Sequence, residues 1–273
     1  MIDAPQRLLS VAPSPAFWIA VVAYTAAEAA LLAVLGGRVR LRPLALVLVG
    51  AAFAAHGIDI GWRGFDHVHP AQSVREALGF LSFIITGGYL LASARYRLTL
   101  GGAAVMPVAL VLLVVARLTP AGSVPEDLTT LGRIHISLAT VGVGVFALAS
   151  ALSVIYLAEE RALKRKKFDA IAFKDRGAPL EALDRLSHRL IWIGFPIFTA
   201  ALGLGAAWVS QRGESLDRPQ YPLAVVTWIS YAALLVLRQV YGWRGRRAAR
   251  LNLAGFAAAL LVLVLYLVRR MTG

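Results

Sequence analysis

Residues 134–158, IHISLATVGVGVFALASALSVIYLA, contain one histidine and no aspartate, glutamate, lysine or arginine. At about 1.5 Å of rise per residue, such a run is longer than a hydrocarbon core of roughly 30 Å. Lipid offers the backbone no hydrogen-bond partners, so a segment crossing it must satisfy its own amides, and an α-helix does so within itself. Working outward, similar apolar runs recur near 17–36, 44–62, 76–94, 99–117, 188–209, 222–240 and 251–268. Hydrophobic residues make up 59% of the chain and charged ones 16%. The fold class is therefore all-α, a polytopic integral membrane bundle of eight transmembrane helices. Residues 1–273 read as a single integral membrane domain with no soluble module.

Charge orients the spans. With the amino terminus outside, the connections at 37–43, 95–98, 159–187 and 241–250 face the cytoplasm. Those regions, with the adjoining span ends, hold 19 of the 28 lysines and arginines, as the positive-inside rule requires. The net charge of +13 is thus explained by topology and by anionic lipid. Nucleic acid is not an expected partner, because the chain has no soluble basic domain to bind it. Both termini are expected outside, in a bacterial cytoplasmic (inner) membrane. The KRKK run at 164–167 reads as a solvated, lipid-facing part of the long cytoplasmic loop.

The first sixteen residues lack a basic cluster ahead of an apolar core and a small-residue cleavage site. The expectation is an uncleaved first span serving as anchor. The absence of cysteine excludes disulfides, thiolate-bound zinc, iron–sulfur clusters and thiol redox work by this chain. No phosphate-binding glycine loop, Ser/His/Asp arrangement or HExxH zinc signature is present, and no enzyme activity is expected.

Four of the five histidines fall on the side read as outer, and imidazole within a membrane marks a functional candidate. His56, in AAFAAHGIDIGW, lies six residues before Trp62, about 9 Å below the outer interface. Asp59 is three positions on, on nearly the same helix face, where a carboxylate can fix an imidazole's tautomer. His56 reads either as a metal ligand or as one half of a structural hydrogen bond between helices. His135 opens the fifth span at the same side, as an iron ligand or as a headgroup contact. His67 and His69 sit in the loop before the third span, where Asp66, Arg75 and Glu76 give a mixed polarity suited to the polar edge of a ligand such as a propionate. His188 starts the sixth span on the opposite side and reads as interfacial. Glu28 is the remaining ionisable group inside a span.

A resemblance adds to this reading. LDRLSHRLIWIGFPIFTAALGLGAAW at 183–208, TWISYAALLVLR at 227–238 and YGWRGRRAARLNLAGF at 241–256 resemble the membrane heme-handling family of cytochrome c assembly proteins, which includes CcsA, CcmC and HemX-type members. The pieces that carry it are Leu183-Asp184, Gly194-Phe195-Pro196, Thr199, Trp208, Trp228, Tyr231 and Gly242-Trp243-Arg244-Gly245. Upstream, His135 stands at the histidine of the family's corresponding helix, and Pro70 and Glu76 match a proline–glutamate segment before a span. His56 falls where shorter members carry a histidine in an early span.

The resemblance implies heme, bound without a covalent bond, with His135 and His56 as candidate axial ligands and Trp208 at the ring. Members that present heme to apocytochrome carry a tryptophan-rich outer loop, broadly WGxxWxWDPKE. Here residues 210–222 read SQRGESLDRPQYP, with Pro219-Gln220 at the family's Pro-Lys step and Asp217 at its acid. Val236 stands where relatives place a histidine two residues before the arginine. The resemblance is therefore nearest to a short, HemX-like branch.

Three functional readings follow. The first is a heme-handling factor that assists cytochrome c biogenesis at the outer face, beside other maturation proteins. The second is a non-catalytic regulator bound to a heme-biosynthesis enzyme through the 159–187 loop. The third is a solute transporter with Glu28, His56 and Asp59 as its polar path.

Overall fold

The computed structural model describes residues 13–65, 68–70, 73–118, 129–164, 179–213 and 218–272. Asp66, His67, positions 165–167 of the KRKK run, Ser215 and Asp217 lie outside the described residues. Eight helices are long and apolar enough to cross a membrane, and the described residues contain no strand. They are α1 (Pro15–Leu35), α2 (Arg42–Phe65), α3 (Val74–Arg95), α4 (Thr99–Leu118), α5 (Thr130–Lys164), α6 (Leu180–Gln211), α7 (Gln220–Tyr241) and α8 (Arg246–Thr272). The protein is an integral membrane helical bundle.

Local chemistry sets where these helices start and stop. Ser14 caps α1 by accepting from the Phe17 amide at 3.1 Å, and Pro15 occupies the first turn, where a missing N–H loses nothing. Ser73 caps α3 through the Glu76 amide. Gly242, at φ 66°, ends α7 in the left-handed conformation that favours glycine.

The polar stretch 159–187, read from sequence as one connection, is helical at both ends. Helix α5 continues to Lys164 and α6 begins at Leu180. An apolar window detects only the part of a helix inside lipid, and polar turns beyond it are no obstacle to helix. The Glu160–Lys164 and Glu181–Arg185 pairs, at 2.7 and 2.6 Å, have the i,i+4 spacing that supports exposed turns. His188 consequently lies inside α6 and not at its start.

Helices α1–α4 form one compact unit and α5–α8 a second. In the first, α1 packs on α2 and α4, and α3 packs on the same two helices. In the second, α5 packs on α6 and α8, and α7 packs on the same two. Each unit is thus an up-and-down four-helix arrangement. Alternate helix ends meet at one end of the unit.

The second unit is centred on Phe146, Ile191, Phe198, Tyr231 and Leu234, with the Phe146 and Tyr231 rings stacked 3.6 Å apart. Two glycines allow α5 and α6 to approach closely. A Cβ on Gly142 would lie 3.3 Å from the Phe198 backbone, and one on Gly194 would lie 2.9 Å from the Phe146 ring. Small residues at helix contacts are the usual means of tight packing in lipid. Outward positions such as Trp18, Val22, Val47, Leu91, Val111, Ile193 and Val240 are apolar and exposed, as lipid contact requires.

Candidate functional site

His135 lies in the second turn of α5. Helix α6 runs antiparallel to it, so the last turns of α6 lie beside the first turns of α5. The His135 Nδ1 stands 2.7 Å from the carbonyl oxygen of Ala201. A carbonyl only accepts, so this nitrogen carries the proton and donates. In the neutral ring the lone pair is then on Nε2, which meets no hydrogen-bond partner among the described residues. Carbonyl-oriented imidazoles of this kind are the usual form of a metal-ligating histidine.

The seat of this ring is made by an absent side chain. A Cβ at Gly205 would fall 2.6 Å from His135 Cε1 and 2.8 Å from its Nδ1, so any larger residue would displace the imidazole. About one turn beyond Gly205, the Trp208 ring lies 6.0 Å from the His135 ring, tilted by 44°. Its Nε1 is buried without an acceptor, and the guanidinium of Arg212 covers its face at 5.1 Å. The three features converge on one side of α6: a free imidazole lone pair, an indole with an unused donor, and a cation.

His56 is placed differently. It is fully buried in the first unit. Its Nδ1 meets the Tyr24 hydroxyl at 3.2 Å, and that hydroxyl also meets Thr86 Oγ1 at 2.9 Å. The edge of Phe83 closes another side, with ring centres 5.7 Å apart. His56 Nε2 is buried without a partner.

The carboxylate expected to orient His56 is engaged elsewhere. Asp59 accepts from Ser14 Oγ at 2.6 Å, from Arg117 Nη2 at 2.8 Å to both oxygens, and from Arg63 Nη2 at 3.1 Å. Two guanidiniums within reach outbid a neutral ring electrostatically. Asp59 therefore does not orient His56, whose Nδ1 meets the Tyr24 hydroxyl instead.

The far end of the second unit holds another polar group of residues. Asp184 accepts from Arg238 Nη1 and Nη2 at 3.0 and 2.6 Å, and from the Gly245 amide at 2.9 Å. His188, four residues on, accepts from Trp192 Nε1 at 3.0 Å. Below them Asn252 donates to Ser153 at 2.9 Å. Among the described residues no group of three or more His, Cys, Asp and Glu side chains is arranged to hold a metal ion.

The sequence model of the family described as Cytochrome C assembly protein matches residues 71–273. The chain belongs to that family. Relatives of known name agree with the match. "Cytochrome c biogenesis protein CcsA" of Porphyra purpurea is 25% identical over 276 residues, covering 85% of either chain. The protein of the same name from Prochlorococcus marinus (strain MIT 9301) is 30% identical over 229 residues, covering 72% of each. That from Synechococcus elongatus is 27% identical over 261 residues, covering 78% of each. No solved structure matches significantly.

Membership in the cytochrome c assembly family gives the separated sequence motifs one physical setting. Asp184, in the first signature piece, accepts directly from the amide of Gly245, in the last, and from Arg238 between them in sequence. Thr199 and Trp228 also meet, through a 2.9 Å bond from the indole N–H. His135, Trp208 and all of the second unit lie within the matched region, whereas His56 precedes it. Sequence reading singled out His135, His56 and Trp208 but missed the groups that position them. Gly205 stood in the small-residue run GLGAAW without a stated role. Tyr24 and Arg117 carried the only signals available, a phenol and a charge inside apolar spans.

Proposed function

We propose that this protein is a membrane heme-handling factor that assists cytochrome c biogenesis, holding heme without a covalent bond at the His135 end of its second unit. The observation that carries the proposal is the 2.7 Å contact between His135 Nδ1 and the Ala201 carbonyl. It leaves the Nε2 lone pair for iron. The residues around it suit a porphyrin: an indole with an unsatisfied donor, a neighbouring guanidinium for a propionate, and a glycine that keeps the imidazole seated. The relatives' names, which assign them to cytochrome c biogenesis, support the same reading.

Bound heme would supply a Lewis-acidic iron, and His135 would hold it through its imidazole. The chain's own work is binding and orientation. Ala201 holds the Nδ1 proton, which fixes the tautomer and aims Nε2. Trp208 presents a flat apolar face and its N–H. A buried N–H without an acceptor costs about 1–3 kcal/mol, and a ligand oxygen placed there recovers that. Arg212, whose guanidinium lies over the indole face, would provide positive charge for a propionate.

His56 enters as a second candidate ligand. Its Nε2 has no hydrogen-bond partner, and Tyr24 and Phe83 enclose the ring on two sides. We place the protein in a bacterial cytoplasmic membrane with the His135 end outside, on the distribution of basic residues. The short, HemX-like character and cooperation with other maturation proteins belong to the same proposal and rest on the SQRGESLDRPQYP loop. The test is an absorption spectrum of detergent-purified protein before and after hemin. A Soret band that saturates near one heme per chain supports the reading. Free-hemin spectra at every ratio overturn it.

A further inference from the structure

The first unit contains a buried charge cluster that the heme reading leaves unused. The antiparallel order of α1–α4 brings the starts of α1 and α3 and the ends of α2 and α4 to one end of the unit. Arg63 comes from α2, Arg75 and Glu76 from α3, Arg117 from α4 and Asp59 from α2. Among the described residues the cluster holds three guanidiniums and two carboxylates. The side chains of Arg63 and Arg117 are 6% and 5% exposed, and that of Arg75 is 13% exposed.

The pairing is incomplete in one direction only. Asp59 is saturated by Ser14, Arg63 and Arg117, and Arg63 also pairs with Glu76. Arg75 reaches Glu76 only at 3.8 Å. Arg117 Nη1 and Arg75 Nε are buried with no acceptor. Every carboxylate is used, while two guanidinium donors on two helices remain open. The N-termini of α1 and α3 add their positive dipole ends at the same place. Exposed Trp18, Trp62 and Phe65 lie at this end of their helices, the level at which aromatic side chains meet the membrane–water boundary.

We propose that the arginine cluster of Arg63, Arg75 and Arg117 is a binding site for the oxyanion of a membrane amphiphile, a carboxylate or phosphate accepted by Arg117 Nη1 and Arg75 Nε. An oxyanion supplies the negative charge and acceptor lone pairs that the cluster lacks, and guanidiniums recognise that geometry in preference to other groups. The boundary position selects a molecule with an apolar body. Two sources share this chemistry: the phosphate of an anionic lipid and the propionate of a porphyrin. The porphyrin source rests on the proposed function, and the lipid source does not.

Arg75→Gln is the informative variant, because it removes an open donor and a charge without stranding Asp59. Arg75→Lys keeps the charge and serves as a folding control. Phosphatidylglycerol and diacylglycerol retention is compared by native mass spectrometry of the detergent-purified protein. Metal-free protoporphyrin IX and its dimethyl ester are compared by quenching of tryptophan fluorescence. The wild-type protein is expected to prefer one acidic ligand to its neutral counterpart by about tenfold. Arg75→Gln erases that preference and leaves the neutral ligand unaffected; Arg75→Lys retains part of it. Preference for phosphatidylglycerol identifies a lipid, and preference for the porphyrin diacid identifies a propionate. Equal binding of acidic and neutral probes by the wild type, or an unchanged preference in Arg75→Gln, overturns the proposal. Neither probe contains iron, so the result is independent of whether His135 ligates heme.

Discussion

Asp184 and Arg238 meet through two hydrogen bonds of 3.0 and 2.6 Å, and the same carboxylate receives the Gly245 amide at 2.9 Å. One side chain thus ties α6 to α7 and to the turn that enters α8. Removing the carboxylate strands a guanidinium that is 11% exposed. Asp184→Ala is expected to lower stability by about 2 kcal/mol, below the fully buried range because the pair is partly solvated. Arg238→Lys is expected to lose roughly half as much, since an ammonium cannot reproduce the paired geometry. Thermal unfolding in detergent measures both, and equal stability of all three proteins would count against the tie.

Gly205 provides a test of the imidazole seat. Gly205→Ala puts a methyl group 2.6 Å from His135 Cε1, whereas a Cβ at Gly203 meets nothing within 4 Å. The expected outcome is that Gly205→Ala binds hemin at least tenfold more weakly, while Gly203→Ala binds as the parent does. Hemin titration followed at the Soret band distinguishes the two variants. Equal affinity in both would mean that His135 is not held where iron needs it.

The crossing of α5 and α6 sets a second steric limit, far from the histidine. Gly194→Ala brings a methyl group 2.9 Å from the Phe146 ring, and that ring is already stacked on Tyr231 at 3.6 Å. Overpacking of this kind costs about 1–3 kcal/mol. The melting temperature of Gly194→Ala should fall clearly below that of Gly203→Ala. A rise would show that the rings have room to move.

How much of this was legible in the sequence depends on what each feature requires. Eight helices were legible because crossing lipid demands an uninterrupted apolar run, and a run can be read locally. The ends of α5 and α6 were not, because Glu160, Lys164, Glu181 and Arg185 continue the helices in water, where composition imposes no such demand. His56 and His135 stood out because imidazole is unusual in an apolar span. Their partners did not. The choice between Asp59 and Tyr24 for His56 is made by Arg117, 58 residues from Asp59, and no local spacing encodes it. Gly205 acquires a role only when α6 is laid beside α5. The meeting of Asp184, Arg238 and Gly245 was likewise hidden, although the resemblance had marked both Asp184 and Gly245.

Orientation is testable without purification. Reporter fusions after residues 40, 97 and 246 are expected to read cytoplasmic, and a fusion after 68 external, from the concentration of basic residues on one side. A cytoplasmic reading at 68 would place the His135 end inside and contradict the proposed delivery face.

The 210–222 segment separates assistance from attachment. It contains no tryptophan, and aromatic faces give a porphyrin stacking that glutamine, arginine and serine do not. Expressed as the sole family member in a strain lacking its own cytochrome c synthetase, this protein is expected to yield no covalent heme stain. Robust c-type cytochrome in that strain would make it a synthetase in its own right.

Whether His135 Nε2 is the iron ligand, as proposed, is decided by the Soret absorbance of purified His135→Ala beside His188→Ala. Both substitutions remove an imidazole from the second unit, but His188 lies near the Asp184–Arg238 pair and accepts from Trp192. His135→Ala is expected to lose most of its bound heme, and His188→Ala to keep it. Equal retention in both variants, or equal loss, would contradict it.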